Sequence, residues 1–198
     1  MPASRAALLS AAEKFCTAFA SNTPPDELVG YFSTLYQPTA LEHGEPALAP
    51  FIGRPFVGLP AVLKYFELLA SLLTYENMDF SSFVVDPDVR RVACRGRAVF
   101  KWLSTGESWD ETFAYIIDFD EGLKVTDYQV WADSGAAYLA SQGKLNEVRE
   151  KVRLGNGWVI GPMADTQLRR PRSKQDRRVH EADIHEIGHV LRCLVYQV

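Results

Sequence analysis

From Arg5 to Ala20 the apolar residues Ala7, Leu8, Ala11, Ala12, Phe15, Cys16 and Phe19 recur at steps of three and four, which predicts one helix with one buried stripe. Asn22-Thr-Pro-Pro25 ends it. A short second helix is expected from Pro25 or Asp26, carrying Leu28, Val29, Tyr31 and Phe32 inward. The period then changes. Thr39–His43 reads as a short strand, and residues 44–58, punctuated by Pro46, Pro50, Gly53 and Pro55, read as a loop able to cover a pocket mouth. Pro60 suits the first turn of a third helix, in which Val62, Leu63, Tyr65, Phe66, Leu69, Leu72 and Leu73 form a wide apolar stripe.

After Tyr75 the pattern alternates. Four antiparallel strands are predicted, Met78–Val85, Arg90–Leu103, Ser108–Phe119 and Lys124–Asp133, separated by the turn signals Asp86-Pro-Asp88, Ser104-Thr-Gly106 and Asp120-Glu-Gly122. Helices first and a meander afterwards, with no βαβ alternation, make the chain α+β. In the second strand Val92, Cys94, Gly96, Ala98, Phe100 and Trp102 share one dry face, while Arg91, Arg95, Arg97 and Lys101 share the other. A four-residue turn at residues 104–107 would pair Trp102 with Trp109, Phe100 with Glu111 and Lys101 with Asp110. Trp109, Glu111, Phe113, Tyr115 and Ile117 then continue the dry face. A carboxylate and a phenol are thereby aimed into an aromatic concavity, and an unpaired buried carboxylate is costly enough to favour a functional role over a structural one.

The composition, 47% hydrophobic and 23% charged, is that of a globular protein, and no apolar run approaches the roughly 20 residues that span a bilayer. The opening residues read as an amphipathic helix and not as a signal peptide, so the expected location is cytoplasmic. Three cysteines, Cys16, Cys94 and Cys193, are neither a disulfide framework nor a metal motif. The net charge of -4 is unevenly spread. Residues 1–142 carry 10 Lys and Arg against 18 Asp and Glu, and residues 143–198 carry 11 against 7. This division predicts a main domain over 1–142 and a basic C-terminal extension over 143–198, partly disordered. An acidic main domain argues against nucleic acid as a partner.

Gly58-Leu-Pro-Ala-Val62, Phe119-Asp-Glu-Gly-Leu-Lys-Val125 and Val130-Trp-Ala-Asp133, in that order after two helices and a short strand, resemble the SnoaL-like branch of the superfamily of polyketide cyclases, ketosteroid isomerase and scytalone dehydratase. The resemblance covers about residues 5–142 and is nearest to fungal SnoaL-like proteins of secondary metabolism. It implies a cone-shaped α+β barrel, three N-terminal helices packed on a curved antiparallel sheet. It also implies a site. The family's catalytic base follows the first short strand, which corresponds to Glu42-His43 here; adjacent strand residues face opposite ways, and His43 is the expected base. The family's oxyanion donor corresponds to Tyr115, with Glu111 assisting. On the last strand either Asp127, Gln129, Trp131 and Asp133, or Tyr128, Val130 and Ala132, face inward, depending on the length of the turn after Phe119. The first set supplies Asp127 as a further catalytic candidate. Substrate-binding candidates are Glu42, Phe51, Tyr65, Phe66, Phe100, Trp102, Trp109, Phe113, Gln129 and Trp131.

The expected function is cyclisation, isomerisation or dehydration of a hydrophobic polyketide or terpenoid intermediate by acid-base chemistry, with no cofactor and no metal. The alternative is a non-catalytic carrier or dimerisation module with the same pocket. A homodimer through the outer sheet face, the set Val99, Lys101, Asp110, Thr112, Ala114 and Ile116, is expected, and neither a membrane nor nucleic acid is an expected partner. His185-Glu-Ile-Gly-His189 fits the H-E-x-x-H zinc signature. Its context differs, because Val190–Val198 holds no His, Asp or Glu as a third ligand and Gly188 weakens the helix.

Overall fold

A computed structural model describes residues 3–155. Ser4 caps helix α1 (Arg5–Ala20), its Oγ accepting from the Ala7 amide at 3.2 Å. Helix α2 (Pro25–Leu28) runs into a single 3₁₀ turn, Val29–Tyr31. Strand β1 (Thr39–His43), the two-residue strand β2 (Phe56–Val57) and helix α3 (Leu59–Leu72) follow. Strands β3 (Leu73–Asp86), β4 (Arg91–Trp102), β5 (Ser108–Phe119) and β6 (Val125–Trp131) form the meander, and helices α4 (Ser134–Ser141) and α5 (Leu145–Arg153) close the described chain. The sheet order is β2-β1-β6-β5-β4-β3, an open sheet. It is mixed and not purely antiparallel, because β1 pairs parallel with β6, Ala40 opposite Tyr128 and Glu42 opposite Val130.

Two local features depart from the sequence expectation, and a third settles a register that the sequence left open. Strand β3 begins directly at the end of α3, at Leu73 and not at Met78, and it is bent by irregularities between Glu76 and Asp79 and between Ser81 and Val84. Asn77 (φ 54°) and Ser82 (φ 57°) take the left-handed conformation there, and such bulges curl a sheet over what it covers. The β4–β5 hairpin is shifted by two residues. Phe100 lies opposite Trp109, Ala98 opposite Glu111 and Val99 opposite Asp110. The loop is Leu103–Gly106, because Gly106 (φ 74°) supplies the left-handed residue that closes it, with the Trp102 amide bonded to the Glu107 carbonyl at 2.9 Å. An even shift leaves both faces intact. In β6 the bulge beside Phe119 turns Tyr128, Val130 and Ala132 inward, and Asp127, Gln129 and Trp131 outward.

The core lies between the helices and the concave face of the sheet. Phe15, Phe32, Tyr65, Phe66 and Tyr128 are all buried and meet mostly edge-on, Phe15 and Tyr128 at 5.3 Å between centroids. Cys16 and Cys94 are buried, as expected of small apolar side chains, with Sγ atoms 3.9 Å apart. Helix α5 starts just beyond the boundary read at residue 142. The buried Glu107 carboxylate accepts the Leu145 amide at 2.8 Å and the Asn146 amide at 3.1 Å, which satisfies two otherwise orphan donors. His180, His185 and His189 lie outside the described residues. Among the described residues no cluster of three metal-ligating side chains occurs, and no helix is long and apolar enough to cross a membrane.

Candidate functional site

Two carboxyls enter the concavity from strands joined through β6. Alternation on β1 buries Ala40 and Glu42, so Glu42, 7% exposed, points inward. Its Oε2 accepts the Tyr65 hydroxyl at 3.0 Å. Burial pushes the Glu42 carboxyl up to about 8, with the charge of Glu111 adding to the rise and the Tyr65 hydrogen bond opposing it. Glu111, on β5, is bound differently. It accepts the Trp109 indole Nε1–H at 2.6 Å and the Asp133 amide at 2.6 Å, one donor on each oxygen. Burial raises the Glu111 carboxyl too, but these two donors hold it toward the ionised form.

Phenols complete the floor. Tyr115 and Tyr128 lie edge-on at 4.9 Å between centroids, and burial pushes both hydroxyls, and that of Tyr65, well above the ordinary phenol range. A small cavity of about 40 Å³ lies among Glu42, Glu111, Tyr65, Tyr115, Tyr128, Phe51, Phe100, Trp109 and Phe113, with Asp133 and Ala137 at its α4 end. Gly96 lies under the Phe113 ring, where a Cβ would meet ring carbon at 2.2 Å, so only glycine admits that ring. A larger groove of about 380 Å³ borders this chamber, and Phe19, Leu69, Leu73 and Phe100 line both.

Of the residues expected at the site, Glu42, Phe51, Tyr65, Phe100, Trp109, Glu111, Phe113 and Tyr115 line the chamber and Phe66 lines the groove. Trp102 is a core residue stacked on Phe51. His43, Asp127, Gln129 and Trp131 are not in the chamber. They form a chain on the opposite face: the His43 Nε2–H bonds Gln129 Oε1 at 2.9 Å, Gln129 Nε2 bonds Asp127 Oδ2 at 2.5 Å, and the imidazole stacks on Trp131 at 4.1 Å. His43 is therefore corrected as the chamber base: parallel pairing with β6 fixes the parity of a strand too short to declare it alone. Of the two inward sets open for the last strand, the structure takes Tyr128, Val130 and Ala132, and it adds the Asp133 amide, which the expectation missed. Tyr128 carried a signal, since it shares its alternate of the strand with Val130 and Ala132. A backbone amide carries none.

No family model matches the sequence, and neither does any curated protein. Solved structures do match. An NTF2-like protein from Burkholderia xenovorans is similar with a TM-score of 0.57 at 18% identity, over 70% of this chain and 98% of that one. AusH from Aspergillus nidulans is similar with a TM-score of 0.55 at 22% identity, over 75% and 97%. BvnE pinacolase from Penicillium brevicompactum is similar with a TM-score of 0.52 at 16% identity, over 72% and 96%. The chain has an NTF2-like fold, the α+β architecture that its sequence resembles.

Proposed function

We propose that this chain is an enzyme that moves protons on an apolar, oxygen-bearing small molecule, in an isomerisation, cyclisation or dehydration. The observation that carries the reading is the pair of buried carboxyls held in one aromatic chamber by unequal hydrogen bonding. Environments that divide two titratable groups in this way assign them opposite roles. Glu42, with a single phenol donor and the larger rise, is the protonated acid near neutral pH. Glu111, with two donors, is the carboxylate. Glu111 accepts a proton from carbon next to a carbonyl, and Glu42 gives a proton to the oxygen that becomes negative. Glu111 then returns its proton to a different carbon, or to a departing hydroxyl that leaves as water, and Glu42 takes back its proton as the carbonyl re-forms. The fold is one that BvnE pinacolase and AusH also use, which supports the reading without naming the substrate.

A carrier is the second reading. It is favoured by one observation: among the described residues, every fully buried side-chain nitrogen or oxygen has a hydrogen-bond partner. The two are separated by exchange of α-hydrogen for deuterium in a set of neutral apolar ketones, followed by NMR in D₂O. The enzyme accelerates exchange in at least one ketone, Glu111→Gln lowers that rate by about a hundredfold or more, and Glu42→Leu does the same. Ketones that bind without exchanging, or exchange indifferent to both substitutions, would establish the carrier.

A further inference from the structure

The chamber around Glu42 and Glu111 has about 40 Å³ of free space, enough for a few atoms and no more. The groove beside it has about 380 Å³, within the range of sites that hold whole small molecules. Four side chains, Phe19, Leu69, Leu73 and Phe100, line both and form a shared ring at their border. That ring is positioned, not loose. Phe19 stacks on Tyr75 at 5.3 Å and 7°, and the Tyr75 hydroxyl donates to the Phe19 carbonyl at 2.6 Å, tying the end of α1 to β3. Phe19 also meets Tyr115 of the chamber edge-on. Among the described residues, the groove is lined by no Asp, Glu, Lys, Arg or His; Asn22, Thr23 and Thr74 supply its polar rim.

We infer that the substrate binds in two parts: a small carbonyl-bearing end passes the Phe19–Leu69–Leu73–Phe100 ring to the two carboxyls, and a larger, uncharged, apolar body stays in the groove between α1, α3 and the start of β3. This assignment rests on the proposed function, because it takes the carboxyls as the place of reaction. Size sets the division. The groove offers far more free space than the chamber, so a body that fills it stays outside and only its end reaches Glu42. Charge sets the class. A phosphate or carboxylate on the body would lose its hydration in the groove without meeting a cation there. Leu69, Leu73 and Ala70 are then specificity-determining residues, the first two by the width of the ring and Ala70 by the depth of the groove.

Unbranched 2-alkanones from four to twelve carbons test both parts at once, with affinities for the full-length chain measured by NMR titration. The shared carbonyl sets the offset of the series, and the alkyl chain sets its slope. Affinity rises about two- to fourfold per methylene until the groove is full. Ala70 is exposed on α3 at the groove wall, so Ala70→Trp fills the groove without touching the chamber. It flattens the slope and leaves the shortest ketones unchanged. Glu42→Leu removes the donor to the carbonyl, lowering every affinity by a similar factor and keeping the slope. A flat series in the natural chain, a slope that survives Ala70→Trp, or an offset indifferent to Glu42→Leu overturns two-part binding. The slope is read from binding alone, so an intact slope with no deuterium exchange counts against catalysis and upholds the binding assignment.

Discussion

Asp110 and Glu111 are consecutive residues on β5, and their surroundings move their carboxyls in opposite directions. Asp110 faces out. Arg97 holds it with two hydrogen bonds, 3.0 and 2.6 Å, and the guanidinium lowers its pKa below the ordinary carboxylate value. Glu111 faces in, where burial raises it and only neutral donors oppose the rise. The same inversion separates Glu42 and His43 on β1, one in the chamber and the other stacked on Trp131 at the outer face. Residue type does not decide reactivity here; the side of the pleat does. The outer face keeps its charges hydrated and paired, as Arg91 with Asp118 and Arg97 with Asp110, and such exposed pairs contribute little. The inner face keeps carboxyls that water does not stabilise. Such burial costs stability, and Glu42, pushed up to about 8, gains the power to hold or release a proton near neutral pH.

The largest consequence is a stability that falls as pH rises. The folded-state pKa of Glu42, about 8, lies above its ordinary value of 4.5, so its contribution is fully present below 4.5 and is lost through the window up to about 8. The loss is about 1.4 kcal/mol per pH unit within that window. Glu42→Gln does not titrate and can still accept the Tyr65 hydroxyl. Its stability relative to the natural chain therefore climbs between pH 5 and pH 8, as denaturant unfolding at the two pH values measures. A difference that stays constant across this window would mean that Glu42 is ionised in the fold, and the two faces would no longer be distinct.

Asp110→Asn gives a smaller effect of the opposite sign. A lowered pKa places its contribution above the ordinary carboxylate range and removes it as the pH falls through the folded value. At neutral pH and low salt the variant melts slightly below the natural chain. The difference disappears at about 1 M salt, where charges further apart than roughly 3 Å are screened. A deficit that persists in high salt would show that Arg97 and Asp110 are held by more than exposed pairing.

Much of this contrast was legible in the sequence and some was not, for reasons that differ by strand. In β4 and β5 the alternation runs for twelve residues each and every second position but Glu111 is apolar or aromatic, so Glu111 and Tyr115 read as inward without any knowledge of the partners. The two-residue error in their register did not matter, because an even shift preserves the face. β1 is different. It has five residues, its inward set is Ala40 and Glu42, and its outward set contains Leu41, so hydrophobicity misleads where the buried residue is a glutamate. Its partner is β6, more than eighty residues away and parallel, and no local turn records that pairing. In β6 the deciding feature is a single bulge beside Phe119, which exchanges Asp127, Gln129 and Trp131 for Tyr128 and Val130. One extra residue in a turn is enough to invert a strand.

The smallest expected effect is the most direct check on which face carries the chemistry. Among the described residues His43 is the one histidine, the residue type that best suits a proton acceptor at neutral pH, and it lies on the outer face. Its ring is parallel to that of Trp131 within 8°, and its Nε2–H is taken up by Gln129, which is itself bonded to Asp127. His43→Ala removes a stack and one hydrogen bond from a half-exposed surface, a stability cost of about 1 kcal/mol. It leaves Glu42, Tyr65 and Glu111 with all their partners. Deuterium exchange by the variant therefore stays within about twofold of the natural rate, while Glu111→Gln in the same assay falls by about a hundredfold. If His43→Ala falls as far as Glu111→Gln and melts like the natural chain, the reacting proton passes over the outer face, through the imidazole, and the aromatic chamber is only a core.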